Sequence, residues 1–214
     1  MKIHLYCSHP NILPAYGYHI GRDEVYLVME YGFCNLYQEI LRKGPFTEEK
    51  TGNYIRQILL GVEYLHRNGI IHRDLKPENV ICLGDHLKIT DFGWSIKTDK
   101  QRRTLCGTLD YISPEVAERN FYDNKIDCWS IGVLMYEMLT VQPPFSQEGH
   151  RYDFEAIVLP EHLSKDCCDL MLGLLKIDPS QRLSARQALD HSWIKNHNKN
   201  YLLFQRRQVR QLEF

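Results

Sequence analysis

Long hydrophobic runs are lacking from this sequence, and none of its apolar stretches approaches the roughly 18 consecutive residues of a membrane-spanning helix. The first residues, MKIHLYCSHPNILP, also lack the apolar core of a signal peptide. An excess of one charge is lacking as well, since 26 Lys and Arg face 27 Asp and Glu. We therefore expect a soluble, intracellular protein with no membrane partner. No direct nucleic-acid partner is expected either, although a local basic patch over residues 195–210 stays open.

Cysteine pairs with the spacing of a zinc site are also lacking, because no CxxC motif is present. The seven cysteines are an odd number, so they cannot all form disulfides, and a reducing compartment fits them best. Cys7 and His9 could supply half of a metal site, but no second half follows at a recognisable spacing. Small buried thiols are the more common case.

What is present is the composition of a globular domain, with 43% hydrophobic and 25% charged residues in a chain of 214. Internal repeats and low-complexity tracts are absent. We expect one domain over residues 1–194, followed by a basic tail over residues 195–214. The tail either docks on another surface or is a solvated end that frays.

Hydrophobic periodicity predicts a mostly helical body with a small β element at its front. Residues Glu24–Tyr31 are rich in β-branched and aromatic side chains and predict a strand. Apolar residues at helical spacing predict a helix over Thr47–His66, with Thr47 as its cap. Two short runs, Val80–Leu83 and Leu87–Ile89, predict a hairpin around Gly84 and Asp85.

A helix over Ile126–Leu139 is apolar on every face, so it belongs in the centre of the domain. Asp127 and Ser130 within it should therefore hydrogen-bond to other protein groups rather than to water. Trp129 is expected in the core. Further helices are predicted around residues 170–175 and 185–193.

The segment His72–Asn79, HRDLKPEN, lies between the predicted helix and hairpin, and Asp91-Phe92-Gly93 follows the hairpin. Phosphoryl transfer needs a carboxylate that accepts the proton of the attacking hydroxyl, metal ligands and a cation near the transferred group. Asp74 can be the base, Asn79 with Asp91 the metal ligands, and Lys76 the cation. His72 is expected to be a packed structural residue, because Asp74 already supplies the base.

These motifs resemble those of the eukaryotic protein kinases, and the resemblance covers nearly the whole chain. It implies an α+β, protein kinase-like fold, with a remnant of the β-rich amino-terminal lobe over residues 1–31 and the mostly helical carboxy-terminal lobe over 32–194. It also implies ATP and Mg²⁺ as cofactors. Lys76 is the serine/threonine-kinase form of the loop, and Thr108 matches the threonine that contacts the catalytic aspartate and lysine.

The same resemblance implies a nucleotide site and an activation segment. Met29 matches the gatekeeper and Tyr31 the middle of the hinge. Asp127 matches the acid that hydrogen-bonds the catalytic-loop backbone. The residues implied at the nucleotide are Glu30, Gly32, Glu78, Asn79, Ile81 and Asp91. The residues implied in activation are the phosphosite Thr104, Arg73 and Arg102 as receivers of its charge, and Glu115 with Arg182 as a buried ion pair.

A narrower resemblance is to the Aurora kinases, carried by Trp94-Ser95, by RRTLCGTLDY at 102–111 and by HPNILPAYGY at 9–18. It implies a role in mitosis and chromosome segregation, an inner-centromere-protein-like activator, and protein substrates with basic residues before Ser or Thr. It implies location in cytoplasm and nucleus, including spindle, kinetochore or chromosome. Polo-like kinases share parts of the loop, so another kinase subfamily stays open.

The sequence also departs from the family pattern. No Gly-rich loop, no VAIK-type lysine and no helical glutamate for it are present. The stretch over residues 146–162 is several residues shorter than in Aurora kinases. We therefore expect the helix that often docks substrates or partners there to be curtailed or absent. MKIHLYCS matches the end of a helix, so we expect that Met1 is not the start of the functional kinase. The alternative function is an inactive kinase-lobe scaffold or binding module.

Overall fold

The computed structural model describes residues 2–22, 24–98, 100–104, 106–145, 147–148, 151–154 and 157–197. The helices are α1 (Lys2–Tyr6), α2 (Leu36–Lys43), α3 (Glu48–Arg67), α4 (Pro114–Ala117), α5 (Lys125–Thr140), α6 (Lys165–Leu174), α7 (Ala185–Leu189) and a helical segment over 192–197. The strands are β1 (Ala15–Ile20), β2 (Val25–Met29), β3 (Cys34–Asn35), β4 (Ile70–Ile71), β5 (Val80–Leu83), β6 (His86–Ile89), β7 (Ile96–Lys97), β8 (Gln147–Glu148) and β9 (Arg151–Tyr152). Short 3₁₀ turns cover Pro77–Asn79 and Leu109–Tyr111.

Helix α5 lies in the middle of the body, as its apolar faces predict. Trp129 is fully buried there, and the neighbouring helices α3 and α6 pack against it. The Ser130 hydroxyl donates to the carbonyl oxygens of Tyr111 (3.1 Å) and Ile126 (3.2 Å). Its polar residues therefore bond to protein groups, which confirms the expectation for this helix.

Helix α3 begins and ends within one residue of its predicted bounds. The Thr47 hydroxyl accepts a hydrogen bond from the Lys50 backbone N–H (3.3 Å), and Glu48 and Glu49 occupy the positively polarised first turn. Gly69, with a φ of 68°, follows the last turn. Because capping and periodicity are both local signals, the sequence alone predicts this element well.

The strands form small antiparallel sheets rather than one large sheet. β1 pairs with β2, β3 and β6 flank β5, β4 pairs with β7, and β8 pairs with β9. The predicted strand Glu24–Tyr31 is shorter in the structure, because only Val25–Met29 pairs with β1. β5 and β6 form the predicted hairpin. This combination of elements confirms the predicted α+β class.

The prediction of one continuous helix around residues 185–193 was wrong. α7 ends at Leu189, and a second helical segment begins at residue 192. The reason is local, because the His191 ring nitrogen Nδ1 accepts a hydrogen bond from the Trp193 backbone N–H (3.2 Å). That bond caps the start of a new helix instead of continuing the old one.

Three expectations concern residues that the structure covers only in part. Of the predicted tail, only residues 195–197 are described, and residues 198–214 lie outside the described range. Residues 146, 149–150 and 155–156 of the shortened segment also lie outside it, as does Met1. The matched helix end is present as α1. Among the residues described, no helix combines the length and apolar character needed to cross a membrane.

Candidate active site

The predicted catalytic loop, His72–Asn79, follows the short strand β4, and Asp127 of α5 hydrogen-bonds to its backbone. One Asp127 oxygen accepts from the His72 backbone N–H (2.9 Å) and the other from the Arg73 backbone N–H (2.9 Å). Burial alone would raise the pKa of Asp127, but these bonds and the His66 ring at 2.8 Å outweigh it, so that the pKa is lowered. A buried ionised carboxylate thus fixes the loop, in agreement with the expectation for Asp127.

Asp74 lies at the centre of a short hydrogen-bond chain. Its Oδ1 accepts from the Thr108 hydroxyl (2.9 Å), and that hydroxyl accepts from Lys76 Nζ (2.8 Å). The Lys76 ammonium is also 3.6 Å from Asp74 Oδ2. The Asn79 amide donates to the backbone oxygen (2.8 Å) and to Oδ2 (3.0 Å) of Asp74. The structure therefore brings these four predicted residues together.

Asp91 reaches the same place from the end of β6. The Thr90 backbone N–H donates to the Asn79 carbonyl oxygen (2.9 Å), which sets the residue after it beside the catalytic loop. Asp91 itself has a φ of 58°, and its Oδ1 accepts from the Gly93 N–H (3.1 Å). Its carboxylate is on an exposed residue and can meet a ligand.

Phe92 fixes the orientation of Asp91 by filling a buried aromatic stack. Its ring stacks on His4 of α1 (4.4 Å between centroids) and meets the edge of His72 (5.0 Å). Burial lowers the pKa of both histidines, which favours their neutral forms in the stack. His72 is thus a packed structural residue, as predicted. His4 was not predicted, because it lies far from Phe92 along the chain and no local pattern indicates their contact.

The predicted hinge residues Glu30, Tyr31 and Gly32 lie next to strand β5, where Gly32 contacts Ile81. A Cβ added to Gly32 would lie 2.1 Å from Ile81 Cγ2, so the hinge backbone packs closely over Ile81. The Glu30 backbone N–H already donates to the Pro14 carbonyl oxygen (3.0 Å), and its carboxylate pairs with Lys88. Only the carbonyl side of Glu30 therefore remains for a ligand, which narrows the predicted use of this residue.

A cavity of about 430 Å³ opens behind Met29, next to Asp91. The Thr90 hydroxyl lies 3.9 Å from the Met29 sulfur at its wall. The cavity is lined by His4, Val25, Leu27, Met29, Thr90, Asp91, Phe92 and Gly93.

The activation segment is joined to the catalytic loop through Tyr122. The Tyr122 hydroxyl donates to the Thr104 carbonyl oxygen (3.1 Å) and accepts from Arg73 Nη1 (3.0 Å). Arg102 forms a backbone bridge with Tyr122, and the Thr104 side chain is exposed. The sequence gave no signal for Tyr122, because its partners are 18 and 49 residues away along the chain.

Glu115 and Arg182 form a buried, two-pronged ion pair. The Nη1–Oε1 distance is 2.7 Å and the Nη2–Oε2 distance is 2.9 Å. Arg182 is 1% exposed, and it also donates to the carbonyl oxygens of Lys125 (3.0 Å) and Lys176 (2.9 Å). The pair therefore ties α4 to the segment before α7.

A family model described as protein kinase domain matches residues 1–194 of the chain. The chain belongs to the protein kinase domain family. It is 41% identical over 203 residues to an Aurora kinase of Saccharomyces cerevisiae, which covers 91% of this chain and 55% of the relative. It is 39% identical over 211 residues to Aurora kinase B of Danio rerio, covering 94% and 66%. The predicted resemblance to Aurora kinases is thereby confirmed.

A third relative, an Aurora kinase of Patiria pectinifera, is 42% identical over 205 residues, covering 91% of this chain and 50% of the relative. The chain thus spans about half to two thirds of the length of these curated relatives.

Protein kinases in general use ATP with Mg²⁺, and the residues of this kinase domain fit both. The exposed Asp91 carboxylate and the Asn79 amide offer the hard oxygen donors that Mg²⁺ prefers, and two such donors suffice when phosphates complete the shell. Gly32 and Ile81 are in direct contact, so a base can lie beside this pair but not between its two members. Among the described residues, no group of three or more His, Cys, Asp or Glu is arranged for a metal.

Three acidic residues, Glu137 of α5 and Glu78 and Asp110 of the two 3₁₀ turns, form a cluster in this kinase domain. Burial raises the pKa of Glu137 to about 7, and the charges of Glu78 and Asp110 raise it as well. The Tyr111 hydroxyl donates to the Glu137 carboxyl. Glu78, which the resemblance implies at the nucleotide, is therefore near enough to Glu137 for its charge to act on that carboxyl. Glu137 was not predicted, because nothing in its apolar helix indicates what lies across from it.

Proposed function

We propose that this chain is the catalytic part of a serine/threonine protein kinase, which transfers the γ-phosphoryl group of ATP to a protein hydroxyl. The observation that carries the proposal is the hydrogen-bond chain from Lys76 through Thr108 to Asp74. A carboxylate, a cation and a hydroxyl in direct contact suit the transfer of a charged phosphoryl group. Such a chain has no evident use in a protein that only binds.

Each residue of the site has a distinct task in this proposal. Asp74 accepts the proton of the attacking hydroxyl, because its Oδ2 and Oδ1 are oriented by Asn79 and Thr108. Lys76 lies against the transferred group and balances its charge. Asp91 and Asn79 would hold Mg²⁺, which when bound neutralises charge on the phosphates.

In this proposal the nucleotide lies next to the hinge and strand β5. Gly32 and Ile81 touch each other, so the base lies beside this pair, and the Glu30 carbonyl oxygen accepts from its edge. Glu78 and Asn79 lie at the phosphate end, in the 3₁₀ turn after Lys76.

Substrates are proteins with basic residues before Ser or Thr. The acidic charges of Glu78 and Asp110 support this choice, since they favour a positively charged peptide. An aliphatic hydroxyl is favoured because Lys76 and Thr108 take the serine/threonine-kinase arrangement.

Activation works through phosphorylation of Thr104. The Tyr122 hydroxyl bonds to both the Thr104 carbonyl oxygen and the Arg73 guanidinium, so these two residues are close. A phosphate on the exposed Thr104 side chain would attract that guanidinium. Arg102 lies on the same segment. Glu115 and Arg182 anchor the far end of this segment to the lobe.

By its likeness to Aurora kinases, the protein acts in mitosis and chromosome segregation, at spindle, kinetochore or chromosome in nucleus and cytoplasm. An inner-centromere-protein-like activator would bind it. In this proposal residues 1–31 belong to the amino-terminal lobe, 32–194 form the carboxy-terminal lobe, and 195–214 are a basic tail.

The test is phosphoryl transfer from radiolabelled ATP to two matched peptides with Arg before the acceptor, one with Ser and the other with Tyr. We expect labelling of the Ser peptide only, and its loss in Asp74→Asn. Labelling of the Tyr peptide alone would contradict the Ser/Thr assignment.

A second candidate is an inactive kinase-lobe scaffold. The observation that favours it is the β1–β2 hairpin, which exposes Tyr18, Ile20, Val25, Tyr26 and Val28 as a binding surface could. Calorimetry with Mg-ATP separates the two candidates. If the reading frame upstream of Met1 encodes no Gly-rich loop and no lysine-bearing strand, a folded protein that binds no Mg-ATP and labels neither peptide would favour the scaffold.

A further inference from the structure

Two thiols lie directly opposite each other on neighbouring strands beside the hinge. Cys34 of β3 is the antiparallel register partner of Cys82 of β5. Directly opposite residues in such a pair share one face of the sheet, with Cα atoms about 4.5 to 5.5 Å apart. A disulfide needs Cα atoms about 4.4 to 6.8 Å apart. The backbone register therefore already meets the distance requirement of a disulfide.

The two thiols differ in their access to solvent. Cys34 is half-buried, whereas Cys82 is 4% exposed and packs in the main core. Burial raises the pKa of the Cys82 thiol to about 12, and the Cys34 thiol beside it also raises that pKa. A soluble oxidant therefore meets Cys34 first, and Cys82 is the neighbour placed to react next.

Among the register pairs of the described strands, this is the one that joins two cysteines. The next pair along, Asn35 and Ile81, points to the opposite face of the sheet. A bond between the thiols would thus form on the core side of β5 and leave the Ile81 face open. No side chain needs to cross the sheet.

We propose that Cys34 and Cys82 are an oxidation-sensitive site, which forms an intramolecular disulfide when the protein meets hydrogen peroxide. The Cys34 sulfur attacks one peroxide oxygen, the O–O bond breaks, and a sulfenic acid and water result. The Cys82 sulfur then attacks the Cys34 sulfur, the S–S bond forms, and the S–O bond breaks. The leaving hydroxide takes the Cys82 proton as a second water. Two thiols lose two electrons, and one peroxide gains them.

The site does not rest on the proposed kinase activity, because it is tested through the bond itself. The whole 214-residue protein is treated with increasing hydrogen peroxide, the remaining thiols are blocked with N-ethylmaleimide, and the peptides are mapped by mass spectrometry. We expect a linked Cys34–Cys82 peptide that disappears after dithiothreitol. It should form at doses that leave Cys168, which is also half-buried, free to be blocked.

Two variants sharpen the test. In Cys82→Val, Cys34 should be trapped by dimedone as a sulfenic acid with no linked peptide, while Cys168→Ser should form the link as the parent protein does. The oxidised parent should also melt higher by roughly 5 to 10 °C, because the link closes a long loop.

Three results would overturn the proposal. One is oxidation of Cys34 while Cys82 stays free, another is a link yield that is unchanged in guanidinium chloride, and the third is a lower melting temperature for the linked form. If Cys82→Val does not fold, peptide mapping of the parent protein decides alone.

Discussion

The Thr108 hydroxyl donates a hydrogen bond of 2.9 Å to Asp74 Oδ1, across 34 residues of sequence. Since the same hydroxyl accepts from Lys76 Nζ (2.8 Å), one side chain of the activation segment joins the proposed base to the proposed cation. The position of the activation segment is therefore coupled directly to the geometry of the catalytic loop.

Replacing Thr108 tests that coupling in an active form of the protein. Thr108→Val should lower kcat by about 10- to 100-fold, because a hydrogen bond to a charged group is lost. Thr108→Ser keeps the hydroxyl and should stay near the parent value. Steady-state kinetics with a Ser peptide measures both, and equal kcat for Val and Ser would contradict the role of the hydroxyl.

The proposed base is tested by Asp74→Asn. We expect kcat to fall by about 10²- to 10⁴-fold with little change in nucleotide affinity, since the carboxylate acts on the substrate proton and not on the nucleotide. Kinetics and Mg-ATP calorimetry measure the two quantities. Asp85→Asn, in the exposed turn between β5 and β6, is the matched control. Near-normal turnover of Asp74→Asn would exclude this base.

Thr104 is predicted to carry the activating phosphate. Phosphopeptide mapping of an active form should find phosphate on Thr104, and Thr104→Ala should lower activity by about tenfold or more because the charge that draws Arg73 is missing. The control is Thr98→Ala on the same segment, where the hydroxyl of a half-buried threonine bonds locally to the Lys100 backbone, and it should change activity far less. A silent Thr104→Ala would show that activation takes another route.

The buried ion pair should matter far more for stability than an exposed one. Glu115→Gln leaves the Arg182 guanidinium buried without its partner and should lower the free energy of unfolding by about 3 kcal/mol. Asp190→Asn removes the partner of Arg186, in a pair whose side chains are 71% and 51% exposed, and of Lys195, and it should lower the free energy of unfolding far less. Urea unfolding of both variants decides, and equal losses would contradict the argument.

Glu137 predicts a pH dependence of stability. Its pKa in the folded protein is raised from 4.5 to about 7, so the folded state holds a proton that the unfolded state releases between those values. Its contribution is therefore fully present below about pH 4.5 and is lost as the pH rises toward 7, by up to about 1.4 kcal/mol per pH unit.

The measurement is the difference in free energy of unfolding between the parent and Glu137→Gln from pH 4.5 to 8. Subtraction removes other titrating groups, among them His4 and His72, whose pKa values burial lowers. A difference that does not change with pH would show that Glu137 ionises normally in the folded protein.

The sequence by itself determined the elements and chemistry that depend on neighbours along the chain. Thr47, Glu48 and the apolar spacing of α3 fix that helix locally. Helix α5 carries apolar residues on every face, so it is stable only where other elements cover it on all sides. The HRDLKPEN segment and the DFG segment also hold the residues proposed for catalysis and metal binding at short spacings.

Only the tertiary structure decided what those elements meet. Tyr122 between Thr104 and Arg73, the raised pKa of Glu137, and the register that sets Cys34 opposite Cys82 all join residues distant in sequence. The physical reason is that burial, charge proximity and strand register depend on how separate elements pack. A local pattern of side chains does not encode which distant residues meet.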